Sequence, residues 1–298
     1  MKYLVFDVGG SAIKYALMND VYELLEKDSV PTPLDALDSF KKAIHDIYVK
    51  YQDEVEGIAI SLPGMINKKT NKMQIPGFLL YNDGVDIEAE LKSVTTNQLT
   101  IANDAKCAAL CEVTLGSLKD TGVGAVCIIG SGIGGAVTIG NNVLTGVHGF
   151  AGEFSYLSSD WKNCCGFNEK WGAVNSVYAL IANVAAKKQL DKDQLDGKAV
   201  FELCNQKDEV ALGCLKEFTD YLAAGLYNLQ ACVDPEKIAI GGGISKQPIL
   251  FEYIQKSLDE IYAAIPFNIP RVQIVNCKYF NDSNLMGALA NYKLIMKE

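Results

Sequence analysis

Residues 6–14 read FDVGGSAIK, and residues 129–136 read IGSGIGGA. An apolar, β-like run precedes each, residues 3–6 for the first and 123–129 for the second, and β-forming residues follow each. Both stretches therefore read as turns that join strand to strand. Glycine admits positive φ and has no β-carbon, so such a turn can approach a phosphate closely and aim its N–H groups at the oxygens. Two of them in one chain point to a nucleotide clamped by two hairpins and to an α/β fold built from two related halves.

The second stretch also satisfies the G-x-G-x-x-G spacing of dinucleotide folds through Gly130, Gly132 and Gly135, with Glu153 near the expected ribose-acid offset. That fold needs a helix to begin at the last glycine, where its N-terminus meets the pyrophosphate. Residues 136–139 (AVTI) are short and β-branched instead, and Asn141-Asn142 is a hairpin signal, so a strand-to-strand clamp is the better reading. No G-x-x-x-x-G-K-[ST] occurs, which excludes a Walker A loop.

At 298 residues the chain exceeds the usual single domain. Its 27 Lys and Arg against 36 Asp and Glu give a formal charge of -9, with no basic run longer than a pair, which argues against nucleic acid as a partner. Neither a signal peptide nor a run approaching the roughly 18 apolar residues of a membrane span is present. Nine cysteines, an odd number scattered over helix-like and strand-like segments, fit reduced thiols in a cytoplasmic protein. None forms a C-x-x-C pair and the histidines are only His45 and His148, so a zinc site would be short of ligands.

Periodicity assigns a third strand over residues 22–30 and an amphipathic helix over 34–51, carrying Leu34, Leu37, Phe40, Ile44, Ile47 and Tyr51 on one face. His45 beside that stripe reads as a partly exposed helix residue. Strands are expected over 57–62, 99–102, 123–129, 135–139, 237–240 and 271–277. Residues 65–86 read as an irregular loop, the kind of segment that often carries function. Helices are expected over 103–116, 174–188, 209–232, 249–264 and 284–297, the last capped by Asp282 or Ser283.

Asp7 ends a strand directly ahead of Gly9, Gly10 and Ser11, where a carboxylate can hold Mg²⁺ directly or through water. A turn-forming Asp is the plain alternative; Lys14 on the returning arm, a cation suited to phosphate, favours the ligand role. Asn103-Asp104 follows a strand and opens a helix. Taken alone, Asp104 is best read as a partner of the helix dipole. Its place at a strand end in an α/β layout raises a second role, accepting a hydroxyl proton while phosphorus is attacked. Glu153 lies among the small residues of 146–156 (GVHGFAGEFSY), where an acid can accept sugar hydroxyls; an ordinary loop carboxylate is the alternative, and His148 reads as a surface residue.

These residues, in this order, resemble the ROK family of bacterial sugar kinases and sugar-responsive repressors, members of the actin-like ATPase superfamily. The resemblance runs over essentially the whole chain. Asp7, Gly9, Gly10, Ser11 and Lys14 are similar to the first phosphate motif, and Gly130, Ser131, Gly132, Gly134 and Gly135 to the second. Gly241, Gly242 and Gly243 resemble the adenosine-side turn, Ser61, Leu62, Pro63 and Gly64 the sugar-side loop, Asn103 and Asp104 the sugar-binding and catalytic pair, and Ala151, Gly152 and Glu153 the sugar-binding acid loop. The family's zinc-binding His after the acid loop is here Tyr156. Its three-cysteine cluster is reduced to Cys164-Cys165-Gly166, with Glu169, Lys170 and Gly172 at the remaining positions. No zinc is therefore expected, and Tyr156, as a sugar-side residue, resembles the zinc-less branch that includes bacterial β-glucoside kinases. The family's repressors carry a helix-turn-helix before the first phosphate motif, where this sequence has six residues.

The resemblance implies an α/β fold of two ribonuclease-H-like lobes with a cleft between them, residues 1–116 plus 283–298 forming one and 117–282 the other. It also implies ATP and Mg²⁺ as cofactors, a sugar as substrate, a homodimer, and lobe closure that excludes water. Asp104 would be the general base toward a hexose or β-glucoside hydroxyl, the 6-hydroxyl. Glucose, a β-glucoside such as cellobiose, and N-acetylmannosamine stay open, as does a non-catalytic sugar-sensing regulator.

Overall fold

A computed structural model of the chain describes residues 1–160, 162, 165, 166 and 168–296. The chain divides into two compact units, Met1–Leu115 with Val143–Ala151 and Asp282–Glu298, and Gly116–Asn142 with Gly152–Asn281.

The first unit contains β1 (Lys2–Val8), β2 (Ala12–Asn19), β3 (Leu24–Pro31), α1 (Leu37–Tyr48), β4 (Gly57–Leu62), β5 (Met65–Ile66), β6 (Met73–Ile75), α2 (Ile87–Lys92), β7 (Gln98–Asn103) and α3 (Asp104–Thr114). Its main sheet has the order β3-β2-β1-β4-β7, with an antiparallel meander of the first three strands and parallel pairing from β1 to β7. A central strand is covered on both faces, and β1 is accordingly apolar without a break from Tyr3 to Phe6, ahead of Asp7. Leu4, Phe6 and Val8 join one core with Phe40, Ile44 and Ile47, whereas Tyr3 and Val5 join the other with Leu285 and Leu289. β3, at the edge, carries Glu26, Lys27 and Asp28, all exposed, which suits a strand with unpaired backbone groups.

The helix expected from residue 34 begins at Leu37. Thr32 holds the preceding chain to the first glycine turn through its backbone N–H and its hydroxyl, and Leu34 stays exposed. Residues 65–86 are less irregular than their composition suggests, because β5 and β6 pair antiparallel there. The short α2, capped by the Asp86 side chain, has no counterpart among the expected elements.

The second unit continues with β8 (Val123–Ile129), β9 (Ile133–Ile139), the first residue of β10 (Asn142–Leu144), α4 (Trp171–Val174), α5 (Val177–Lys188), α6 (Gly197–Asn205), α7 (Glu209–Val233), β11 (Lys237–Gly241), α8 (Pro248–Ala263) and β12 (Gln273–Asn276). The order β10-β9-β8-β11-β12 repeats that of the first sheet, again with an antiparallel hairpin feeding parallel strands. This twice-used ribonuclease-H-like order is the two-lobed α/β class expected. The long α7 buries Cys214, Leu215, Phe218, Leu222 and Leu226 in one stripe and ends at Asp234, which takes the left-handed conformation ahead of Pro235. The helix expected over 174–188 is interrupted at Asn175, whose amide donates to the Phe218 carbonyl at 2.7 Å; Ser176 then caps α5 afresh. α6, with Val200, Phe201 and Cys204 buried, is a further element outside the expected set.

The chain closes with α9 (Ser283–Ile295), which belongs to the first unit and packs on α3. Asp282 holds its N-cap position without a side-chain capping bond, and Lys297, the last residue of the expected helix, lies outside the described residues. Among the described residues, no helix is long and apolar enough to cross a membrane.

Candidate active site

Strand register builds the first cluster. Asp7 sits opposite Lys14 in the antiparallel β1–β2 pair and opposite Ser61 in the parallel β1–β4 pair, so all three side chains share one face. Asp7 is 5% exposed, and its carboxylate accepts from Ser61 Oγ at 3.3 Å and Lys14 Nζ at 3.4 Å. A third donor, Asn284 Nδ2, reaches Asp7 Oδ1 at 3.0 Å from the first turn of α9. Lys14 remains partly exposed, so its ammonium can move while the other two donors stay in place.

The glycine turn itself is braced from below. Gly9 N–H donates to the Ala12 carbonyl at 3.0 Å, and Thr32 takes two further carbonyls, its hydroxyl donating to Gly9 O at 2.6 Å and its N–H to Ser11 O at 3.2 Å. With the Gly9 and Ser11 carbonyls occupied, the exposed Gly10 and Ser11 keep backbone N–H groups, the kind of donor an anion needs. The Phe78 ring lies within van der Waals reach of Gly10.

Asn103 and Asp104 stand where β7 becomes α3. Asn103 caps the helix through Lys106 N–H at 3.2 Å, and its Nδ2 donates to the Gly64 carbonyl at 2.8 Å. The pair is thereby tied to the loop of Pro63 and Gly64, where Gly64 has φ +98° and a β-carbon would strike the Ile75 carbonyl. Asp104 occupies the first helical position, half-buried, and accepts from Ala105 N–H at 2.8 Å. The positive end of a helix favours a carboxylate there. The buried Lys106 ammonium donates to the Gly149 carbonyl at 3.1 Å and so fixes the 143–151 loop within the same unit.

In the second unit, Gly130 N–H donates to the Gly132 carbonyl, and Gly130 O accepts from Val177 N–H at 2.9 Å, so the hairpin tip is anchored to the start of α5. Ser131 is exposed, and Gly132 and Gly134 are half-buried. Gly135 makes room for the Phe154 ring, which occupies the place of its missing β-carbon. Gly241 is similarly closed in by Ile128 and Cys277. Gly242, at φ +95°, faces the Ile129 carbonyl, and Gly243 faces open space at the start of a 3₁₀ turn. Glu153 is half-buried at the head of the turn Phe154–Tyr156, whose Ser155 hydroxyl holds the Ile133 carbonyl. Burial and, secondarily, the Glu153 carboxylate raise the Tyr156 phenol above its ordinary pKa, so Tyr156 stays a neutral hydroxyl beside that acid.

Cys165 is an exposed free thiol, and Cys164, the other half of the reduced cluster, lies outside the described residues. Among the described residues no group of three or more His, Cys, Asp or Glu is placed to hold a metal. Asp7 with its three donors fits magnesium held through water better than direct ligation, since the carboxylate is already hydrogen-bonded at both oxygens. Asn284, Thr32, Lys106 and Phe78 escaped the sequence reading, as no motif marks them.

The sequence profile described as the ROK family matches residues 3–294. The chain belongs to the ROK family. An uncharacterized protein of Clostridium perfringens (strain 13 / Type A) is 30% identical to this ROK chain over 98% of it and 97% of the relative. A Listeria monocytogenes protein named β-glucoside kinase is 26% identical over the same shares, 98% and 97%. Among solved structures, a ROK family protein of Streptococcus pneumoniae TIGR4 in complex with sucrose superposes with a TM-score of 0.88 at 28% identity, covering 100% of this chain and 99% of that one.

Proposed function

We propose that this ROK chain is an ATP-dependent sugar kinase that transfers the γ-phosphoryl group to the 6-hydroxyl of a hexose or β-glucoside, with Asp104 as general base. The observation that carries the reading is the placement of Asp104 at the first position of α3, beside an Asn103 bonded to the Gly64 loop. The relative named β-glucoside kinase and the sucrose-bound structure support a sugar as acceptor.

In this reading Asn103, Pro63, Gly64, Glu153 and Tyr156 bind and orient the sugar. Asp104 takes the hydroxyl proton as the new O–P bond forms and the bond to the ADP oxygen breaks. Amides of Gly9, Gly10 and Ser11, with Lys14, and amides of the turn through Gly130, Ser131, Gly132, Gly134 and Gly135 hold phosphate oxygens; Gly241, Gly242 and Gly243 lie beside adenosine. Magnesium, held by Asp7 through water, supplies neutralisation of phosphate charge. The protein works as a homodimer without zinc.

The test is ADP formation by the purified protein from ATP and a panel of glucose, cellobiose and N-acetylmannosamine. Turnover with at least one is expected. Sugar binding without ADP formation across the panel would instead identify a sugar-sensing regulator.

A further inference from the structure

We propose that Asn284 is a positioning residue of the nucleotide site, orienting the Asp7 carboxylate so that a single edge of it faces the metal and phosphates. This rests on the reading of Asp7 as the residue that serves Mg²⁺ and ATP. A carboxyl group 5% exposed needs hydrogen-bond partners in place of the water it loses. Its two oxygens are treated differently. Oδ1 accepts from two neutral donors, Asn284 Nδ2 at 3.0 Å and Ser61 Oγ at 3.3 Å, whereas among the described residues Oδ2 accepts from the Lys14 ammonium at 3.4 Å.

Neutral donors fix an oxygen without cancelling the carboxylate's charge. An amide and a hydroxyl thus pin Oδ1, and the charge stays available at Oδ2, where Lys14, partly exposed on a flexible arm, can give way. Ser61 and Lys14 are set by the register of β4 and β2. Asn284 arrives from the far end of the chain, and its reach depends on α9 being rigidly seated. Two close approaches seat it: Gly287 lies against the Cys107 carbonyl, and the Tyr292 hydroxyl end fills the space over Gly57. The Lys27–Asp282 ion pair holds the residue that precedes the helix. Asn284 touches no reacting atom in this scheme; it acts through Asp7, as outer-shell groups act through metal ligands.

The experiment is calorimetric titration of the full chain with a non-hydrolysable ATP analogue, AMP-PNP, with and without Mg²⁺. The proteins compared are wild type, Asn284→Leu, Asn284→Asp, Asp7→Asn and the double variant Asn284→Leu/Asp7→Asn. Loss of the Asn284 donor is expected to weaken binding about 10- to 100-fold with Mg²⁺ present, the range for outer-shell partners, and to leave metal-free binding unchanged. The isosteric Asn284→Asp, which replaces a donor by an acceptor, keeps the test open should the leucine variant fold poorly. The double variant is expected to bind no worse than Asp7→Asn alone, because one effect runs through the other. Equal losses with and without Mg²⁺, or losses that multiply in the double variant, would overturn the proposal. An effect of Asp7→Asn without any effect at Asn284 sinks this inference alone; no effect of Asp7→Asn removes the reading of Asp7 and the inference with it.

Discussion

Gly287 of α9 meets the Cys107 carbonyl of α3 so closely that a β-carbon at Gly287 would run into the oxygen. Alanine in a helix is ordinarily worth about 1 kcal/mol over glycine. Here Gly287→Ala is expected to destabilise instead, by about 1–3 kcal/mol, as overpacking between two helices does. The urea midpoint checks this, and a midpoint at or above that of the wild type would show that α3 and α9 are not so tightly apposed.

Asp104→Asn keeps the shape of the side chain and removes the proton acceptor. We expect kcat to fall by roughly 10² to 10⁴, the usual cost of losing a general base, with the melting temperature little changed. Turnover near that of the wild type would take Asp104 out of the chemistry.

Glu153→Gln is expected to raise KM for the sugar well above its effect on KM for ATP, because the carboxylate is assigned to sugar hydroxyls. Comparable increases in both constants would count against that assignment.

Asp208 caps α7 through Ala211 N–H at 2.9 Å and holds the Lys188 ammonium at 2.6 Å. The Lys188 hydrogen bond, followed by that of the Ala211 amide, lowers its pKa below the ordinary carboxylate value. A depressed folded-state pKa contributes stability above the unfolded value, near pH 4, and loses it as pH falls through the folded value. The difference in stability between wild type and Asp208→Asn should therefore be present at neutral pH and shrink as the solution is acidified below about pH 4. Urea unfolding at a series of pH values measures it; a difference that grows on acidification would contradict the ion pair.

Metal analysis of the purified protein is expected to find no stoichiometric zinc, since by the family resemblance Tyr156 takes the place of the zinc-binding histidine and Lys170 that of the third cysteine. One tightly held zinc per chain would reverse that expectation.

Much of the scaffold for this reading was legible in the one-dimensional chain. The glycine turns were recognisable as strand-to-strand connections because β-branched residues follow them, and both hairpins form with those turns. The start of α3 was legible because Asn103 is a good cap, and its side chain does accept the Lys106 N–H. The break at Asn175 was not, since the 174–188 pattern is helical throughout and the interruption comes from bonds to Phe218 and Gly130 on other elements. Gly135 reads as a phosphate-turn glycine and Gly241 as an adenosine-side one, yet each also leaves room for a neighbour, Phe154 in one case and Ile128 with Cys277 in the other.

The sequence by itself determined the paired hairpins, the two-lobed α/β class and the family, because φ freedom, strand periodicity and helix capping act over a few residues and leave a local signature. Only the tertiary structure decided that Asp7 would be gripped by Ser61 and Asn284, the latter 277 positions away. Sheet register and the seating of one helix on another set that grip, and both depend on partners that a single stretch of chain does not encode.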